Sequence, residues 1–516
     1  MTSPDVGADA PDAQKSAPDK LDAKVLKIAS VVVLGAIMSI LDVTVVSVAL
    51  STFSTEFEAT YATVAWTMTG YTLALATVIP LTGWAADRFG TKRLYITALV
   101  LFIIGSVLCS MAWDITSLIV FRVLQGFGGG MLMPLGMTIM TRAAGPERIG
   151  RVMAVLGIPM LLGPIGGPIL GGWLIESFSW HWIFLINLPI GIIALAAAYL
   201  VLPSDKASPS ESFDFVGMLL LSPGLALFLF GVSSIPEVGT VASARVLVSA
   251  GVGLALIVGF VFHALNKRHP LIDLRLFKNR QLTVAVITTS FFIVAFMGAG
   301  LLFPSYFIQV RGNTTLAAGL LMAPQGIGAM LTMPIAGRLV DKIGAGKIVL
   351  TGLPLILVGI GVFTQVDADT PAWLLMAGLF VMGLGMGCTM MPLMTAAIVT
   401  LSNEQIARGS SLMNIVQQTA GSIGTAVMSV VLTNQLLDRD LDTAKVAVQH
   451  IPEVAAAQPP GVREQILSAA ADAFGNTFLV AAVIIAVTLI PAFFLPRKKY
   501  VRPEAEENDA APVVMH

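Results

Sequence analysis

The sequence predicts an all-α polytopic membrane protein of fourteen transmembrane helices, arranged as two six-helix halves with two helices inserted between them. Three observations lead there. Across 516 residues 56% are hydrophobic and only 12% are charged, about half the roughly 25% charged residues of soluble domains. The chain divides into fourteen apolar runs, each near the ~20 residues that cross a hydrocarbon core. One charged loop pattern occurs twice, early and late, as a fold of two similar halves would produce.

In chain order, residues 1–27 form an amino-terminal tail. Its first 20 residues are rich in Asp, Ala, Pro and Ser, read as disordered, and lack the basic region, short apolar core and cleavage site of a signal peptide. Spans follow at roughly 28–50, 62–83, 94–112, 116–140, 152–174, 182–202, 215–235, 245–265, 284–308, 316–338, 348–366, 373–397, 410–434 and 476–495. The first six make one half (28–202), spans 7 and 8 an insert (203–265), and the last six the other half (284–495). A linker at 266–283 joins insert and second half, a loop at 435–475 precedes the last span, and a tail at 496–516 ends the chain.

Of 30 Lys and Arg residues, 24 fall in the tails and loops on the side of the amino terminus, five in the opposite loops, and Arg122 inside a span. Basic loops remain cytoplasmic, so both termini are expected in the cytoplasm of a multi-pass protein of the cell membrane. The net charge of −1 carries no information about partners, and no nucleic-acid partner is expected. Cys109 and Cys388 lie in apolar runs and suggest neither a disulfide framework nor a metal site. Residues 269–282 mix Leu271, Ile272, Leu274, Leu276 and Phe277 with basic residues, so they either lie along the membrane surface or form a plain basic loop. The 435–475 loop contains Pro459 and Pro460 and reads as a site of short helices.

The repeated pattern is G-x-x-x-D-[RK]-x-G: Gly83, Asp87, Arg88 and Gly90 after span 2, and Gly337, Asp341, Lys342 and Gly344 after span 10. LDVTVVSVALS from Leu41, GWAADRFGTKR from Gly83, RVLQGFGGG from Arg122 and GPIGGPILGG from Gly163 join it in a fixed order, with WHWIFLINLPIG from Trp180 and HPLIDLRLF from His269. On these motifs the chain resembles the major facilitator superfamily and, within it, the fourteen-helix drug:proton antiporters. Ser47, Ser51, Thr91 and His181 depart from the family's usual Asn, Pro, basic residue and Arg at those places.

Two charges lie deep within spans: Asp42, the one carboxylate, and Arg122, the one basic group. A charge at that depth costs at least ~2.5 kcal/mol, so a retained one is a functional candidate by default. At ~1.5 Å per residue both fall at similar depth, which predicts coupling, directly or through Gln125 or water. The resemblance adds that the fourth-span Arg belongs to a proton relay. A static buried ion pair is the alternative, although such pairs are poor stabilisers.

In the loop repeat, Asp87 and Arg88 with Gly90 read as a tight, charged turn. The resemblance makes Asp87 a latch on the start of span 13, near Gly409 and Ser410, with Asp341 as a weaker second copy; a solvated turn is the alternative. Residues 157–173 are dense in Gly and Pro, so Gly157, Gly163, Pro164, Gly167, Pro168 and Gly171 read as a surface where bare backbone touches another helix. The expected partner is span 10, whose Gly319, Ala323, Gly326 and Ala329 recur at steps of three or four; ordinary packing of a kinked helix is the alternative. GFGGG from Gly126 and GLGMG from Gly383 mimic dinucleotide fingerprints but lie inside apolar helices, where close helix packing explains them.

By the resemblance, a substrate cavity is lined by Trp66, Tyr71, Tyr306, Gln325, Met390, Asn414, Gln417 and Gln418, with helix packing as the alternative for each. The implied activity is proton-coupled export of amphipathic or lipophilic compounds, multidrug efflux conferring antibiotic resistance, by alternating access. The implied partners are small-molecule substrates, protons and membrane lipids; a periplasmic partner at the outer loop is left open. No cofactor and no enzymatic reaction are expected, the energy coming from the proton gradient. A dedicated exporter of one metabolite, lipid or siderophore, and a non-transporting sensor, are the other readings.

Overall fold

The structure, a computed structural model, describes residues 22–59, 61–145, 148–203, 213–235, 241–402, 405–437 and 459–498, with no strand among them. The first 20 residues, and most of the 435–475 loop and of the carboxyl tail, lie outside the described residues. The helices are α1 (Ala23–Glu56), α2 (Tyr61–Phe89), α3 (Thr91–Ser110), α4 (Ile115–Ala144), α5 (Ile149–Ser177), α6 (Trp182–Val201) and α7 (Phe215–Ser233). They continue as α8 (Ala244–Asn266), α9 (Arg280–Gln309), α10 (Thr315–Ile343), α11 (Ala345–Phe363), α12 (Ala372–Ile398), α13 (Ile406–Leu437) and α14 (Pro460–Ala492). Thirteen are long and apolar enough to cross a membrane, and α5, with 29 residues, is the fourteenth.

Local chemistry sets several boundaries. The Asp114 and Ser117 side chains bond each other's backbone N–H in a capping box that starts α4. Pro459 and Pro460 start α14, where the missing N–H of a first-turn proline is no loss. Residues 460–475, expected as loop, are therefore the first turns of a 33-residue helix. Span 12 is two segments, Ala372–Gly387 and Met390–Ile398, parted where the Thr389 hydroxyl donates to the Gly385 carbonyl at 2.8 Å.

The same helix pairings occur twice. α1 packs on α5 as α9 does on α13, α2 on α4 as α10 on α12, α3 on α4 as α11 on α12, and α3 on α6 as α11 on α14. Between the halves, α5 meets α10 and α2 meets α13, again a symmetric pair. Helices holding this much Gly and Pro persist because a bilayer offers their backbone no other partner. Bare backbone then lets them approach: a methyl group on Gly105 would lie 2.6 Å from Cα of Gln125, and one on Gly126 2.7 Å from the Tyr71 carbonyl.

Both described chain ends lie on one face. Asp22 pairs with Arg148 at 2.9 Å, and the Gly346 N–H donates to the Pro496 carbonyl at 2.8 Å. Arg148 and Gly346 flank the Gly150–Gly337 contact, described below, which places both on this terminus-bearing face.

The inserted α7–α8 hairpin docks through α7 on α2 and α13. Ser222 donates to the Thr77 carbonyl at 2.7 Å, and Trp66 stacks on Phe230 with centroids 5.4 Å apart. Asp214, buried at the start of α7, accepts from the backbone of Gly217 at 2.9 Å and of Leu271 at 3.0 Å, and lies 2.8 Å from His263 Nε2 and 3.0 Å from Lys267 Nζ. Burial pushes this carboxyl up, but those hydrogen bonds outweigh it and hold it below its ordinary value. The clamp ties the insert to the linker, whose Leu271, Ile272 and Leu276 are buried around a short 3-10 turn, Leu274–Lys278. The apolar side of the linker thus faces protein, and its basic side chains Arg268, Arg275 and Lys278 are exposed.

Candidate functional site

Asp42 of α1 and Arg122 of α4 meet at 2.5 Å, and both side chains are fully buried. Gln125, one helical turn beyond Arg122, accepts from Arg122 Nη1 at 2.6 Å and donates to Asp42 Oδ1 at 2.7 Å. Two uncharged residues, with no charge to mark them in an apolar span, complete the shell. Asn187 of α6 donates to the same Asp42 oxygen at 3.2 Å, and Ser106 of α3 lies 2.7 Å from Gln125 Nε2 and 3.2 Å from Asn187 Nδ2. Arg122 Nε donates to the Thr67 carbonyl of α2 at 3.1 Å, its guanidinium stacks 4.1 Å from the Tyr71 ring, and its Nη2 has no hydrogen-bond partner. Five helices of the first half therefore hold one neutral pair.

The chemistry of this site follows from its dryness. While Asp42 is ionised the pair is neutral and its oxygens are saturated with donors, so the two charges are tolerated together. Protonating Asp42 would leave the guanidinium as an uncompensated buried charge, which costs several kcal/mol and drives it toward another partner or toward water. A proton on one carboxylate can thereby change which packing of the half is favoured.

On the terminus-bearing face the loop repeat lies at both helix crossings between the halves. Gly83 abuts α13, where an added methyl would lie 3.3 Å from Cα of Arg408. Gly337 abuts α5, where it would lie 2.7 Å from the Gly150 carbonyl. The last glycine of each copy turns the chain with positive φ, 86° at Gly90 and 88° at Gly344, a conformation open chiefly to glycine. Asp87 pairs with Arg142 at 3.5 Å and with Arg408 at 3.8 Å. Arg88 is exposed at the end of α2. Asp341 accepts from the Gly150 N–H at 2.9 Å, in the first turn of α5, and pairs with Arg151 at 3.4 Å. The second copy, expected as the weaker, adds a backbone N–H at a helix start to its ion pair.

The glycine-rich stretch of α5 behaves differently from expectation. Gly157 faces Met333 of α10, at 2.5 Å for an added methyl, but Gly163, Gly167 and Gly171 pack on Ile40, Thr44 and Val45 of α1. The side chains of Pro164 and Pro168 lie outside the described ones. In α10, Gly319 has nothing within 4 Å of an added methyl, while Ala329 and its neighbour Gly328 pack on α12. Among the described residues the α5–α10 contact of glycines is therefore made on the terminus-bearing face, at Gly150, Gly157 and Gly337, and Gly163, Gly167 and Gly171 serve packing within the first half. Gly126, Gly128 and Gly130 likewise pack α4 against α2 and α3.

The expected cavity residues divide. Tyr71 is fully buried beneath Arg122 and within 3.3 Å of Ser39 Oγ. Tyr306 is fully buried with its hydroxyl donating to the Asp367 carbonyl at 2.7 Å. Neither offers a face to a ligand here, because each hydroxyl is engaged inside packed helices. Trp66 stands on the insert. Three amides instead rest on methionine sulfurs: Gln325 on Met386 at 3.1 Å, Gln417 on Met394 at 3.2 Å and Asn414 on Met137 at 3.5 Å. Met390 is buried at the start of the second segment of α12, and Gln418 is half-buried on α13.

Two six-helix halves meeting on one face of a membrane-spanning bundle, with a buried charge pair inside one of them, define a secondary transporter. The chain belongs to the Major Facilitator Superfamily, whose family model matches residues 32–425. It is 51% identical over 500 residues to the "Multidrug resistance protein B homolog" of Mycobacterium tuberculosis (strain ATCC 25618 / H37Rv), covering 94% of this chain and 93% of that one. It is 30% identical over 410 residues to the "Multidrug export protein EmrB" of Escherichia coli (strain K12), covering 78% and 79%. Among solved structures it resembles the human organic anion transporter MFSD10 at a TM-score of 0.60 and 15% identity, covering 90% of this chain and 100% of that one. The proton:xylose symporter XylE follows at 0.56 and 14%, covering 90% and 96%. At such identities these two likenesses concern the fold alone.

Proposed function

We propose that this protein is a multidrug efflux pump of the cell membrane that exchanges amphipathic or lipophilic compounds for protons by alternating access. The relatives named for multidrug resistance and export support the cargo class. The observation that carries proton coupling is the fully buried Asp42–Arg122 pair. The 24 of 30 basic residues in the tails and loops on the side of the termini support a cytoplasmic assignment of that side, and crossings closed there fit an outward-facing state. Asp42 takes a proton in this state, Arg122 loses its counterion, and cargo leaves outward; release of the proton to the cytoplasm restores the pair. The gradient supplies the energy, and the chain needs neither cofactor nor chemical reaction.

Asp87 and Asp341 hold the cytoplasmic crossings closed in this state, and Gly83 and Gly337 allow the approach. Gln325, Asn414 and Gln417 exchange methionine sulfur for cargo, since methionine repacks readily around varied apolar ligands. The test is substrate-dependent proton flux in reconstituted vesicles across dyes, drugs and lipids, with Asp42→Asn beside the parent. Flux lost in Asp42→Asn while substrate still binds supports the reading. Undiminished proton-driven export in that variant would sink it.

A further inference from the structure

The seam between the inserted hairpin and the second half forms an open-sided cavity of about 340 Å³. Its walls come from α7 (Leu221), α8 (Phe260), the linker (Ile272, Leu274), α9 and α13 (Val416, Ala420). The only side-chain hydroxyls in the lining are those of Ser290 and Thr419, and Ser290 spends its proton on the Val286 carbonyl at 2.9 Å. Such a wall recognises hydrocarbon and nothing polar.

The linker wall places the cavity at the terminus-bearing end of the bundle, and the chain there is unusually fixed. Asp214 holds the Leu271 N–H at 3.0 Å, so Ile272 and Leu274 are set into the wall, while Asp214 is itself neutralised by Lys267. Charge outside that clamp is predominantly positive. Arg268, Arg275, Lys278 and Arg280 are all exposed beside the two wall residues, with the half-buried Asp273 as the one carboxylate in the segment. Arg275 folds back on the carbonyls of Lys267 at 2.9 Å and Arg268 at 3.4 Å, which keeps its guanidinium over the linker.

An apolar slot inside the membrane with a basic rim at its surface end fits one kind of occupant. We propose that the seam between the α7–α8 hairpin and α13 binds an anionic membrane phospholipid, one acyl chain in the cavity and the phosphate on Arg268 and Arg275. The charge complementarity of the rim selects an anionic headgroup over a zwitterionic one. A lipophilic cargo molecule would use the slot but not the rim. The inference needs only that the chain spans a membrane and does not depend on proton coupling.

The test uses the full-length protein with phosphatidylglycerol and phosphatidylcholine of equal chain length, read by native mass spectrometry. A photoactivatable phosphatidylglycerol maps the contact. The parent is expected to retain phosphatidylglycerol preferentially and to be labelled on peptides of α8 and α13. Removing two basic contacts with Arg268→Gln and Arg275→Gln should cut the preference about thirtyfold. Ala420→Phe, which fills the slot, should abolish labelling of α13 while the exposed rim stays intact. Equal retention of both lipids by the parent, unchanged preference in the arginine variant, or a lipophilic dye that displaces label without any headgroup preference would each overturn the proposal.

Discussion

Gly150 and Gly337 meet backbone to backbone: a methyl group on Gly150 would lie 2.6 Å from the Gly337 carbonyl, and one on Gly337 2.7 Å from the Gly150 carbonyl. No side chain fits between α5 and α10 there, so this crossing exists only while both residues are glycine. Gly337→Leu should open the terminus-bearing seam. Overpacking costs about 1–3 kcal/mol, which shifts the ratio of closed to open states roughly 5- to 150-fold. Ala407, beside Gly83 at the companion α2–α13 crossing, is 2% exposed in the parent. Maleimide labelling of Ala407→Cys from the terminus-bearing side should rise by that factor when Gly337→Leu is added, and unchanged labelling would show that the crossing does not control the seam.

The two loop copies differ in how firmly they grip. Asp341 accepts the Gly150 N–H at 2.9 Å, in the positive field of a helix start, whereas Asp87 reaches Arg408 at 3.8 Å across a partly exposed gap. Exposed pairs contribute about 0–1 kcal/mol and a partly buried carboxylate at a helix start up to ~2 kcal/mol. Asp341→Ala should therefore lower efflux more than Asp87→Ala, by roughly tenfold against a few-fold. Growth protection against a dye, normalised to membrane abundance, ranks them. A larger loss from Asp87→Ala would reverse the assignment of the stronger latch.

Much of this was legible in the chain. Helix count and the repeat follow from physics that acts locally, apolar length and charged loops, so all fourteen spans were recovered. Asp42 and Arg122 stood out because a lone charge in an apolar run has few reasons to be there. What was missed depends on rotation about a helix axis. Asn187 sits in the motif from Trp180, but an amide among apolar residues does not announce which neighbour it faces. The same uncertainty misdirected Gly163, Gly167 and Gly171, whose bare faces turn to α1 of their own half rather than to α10. Small residues specify that a close contact exists and not with what. The insert's clamp on Asp214 joins residues 53 and 57 positions apart in Lys267 and Leu271, a separation that no local pattern reports.

That clamp has a pH signature. Hydrogen bonds hold the Asp214 carboxyl below its ordinary value of 3.8, and a group whose folded pKa is depressed stabilises fully above its unfolded pKa. Its contribution is lost only as pH falls through the lower folded value. Acidifying from pH 7.5 to 5.5 should therefore leave the Asp214 share of the melting temperature intact. Asp214→Ala should lower the melting temperature at both, because it strips Lys267, His263 and two backbone N–H groups of their shared acceptor. Thermal melts of parent and variant at the two pH values provide the check. A difference between parent and variant that shrinks at pH 5.5 would mean that Asp214 titrates in that interval.

Asn187 is a positioning residue, and its removal should separate coupling from binding. It shares Asp42 Oδ1 with Gln125 and touches Ser106, so it fixes the rotation of the carboxylate toward Arg122. Asn187→Leu leaves the ion pair itself but deletes a hydrogen bond to a charged group, worth about 1.5–3 kcal/mol. Proton-driven efflux should drop roughly ten- to hundredfold in maximal rate, while KM for the exported dye changes little, since Asn187 is buried with its amide turned to Asp42 and Ser106. Asn187→Asp should fail more severely, because it sets a second carboxylate within 3.2 Å of Asp42 in a site with one cation. Asn187→Ser, which keeps a hydroxyl donor, should recover part of the rate. If all three variants lost abundance in parallel with activity, Asn187 would be a folding residue of α6 alone; a change in KM without a change in maximal rate would place it on the cargo path instead.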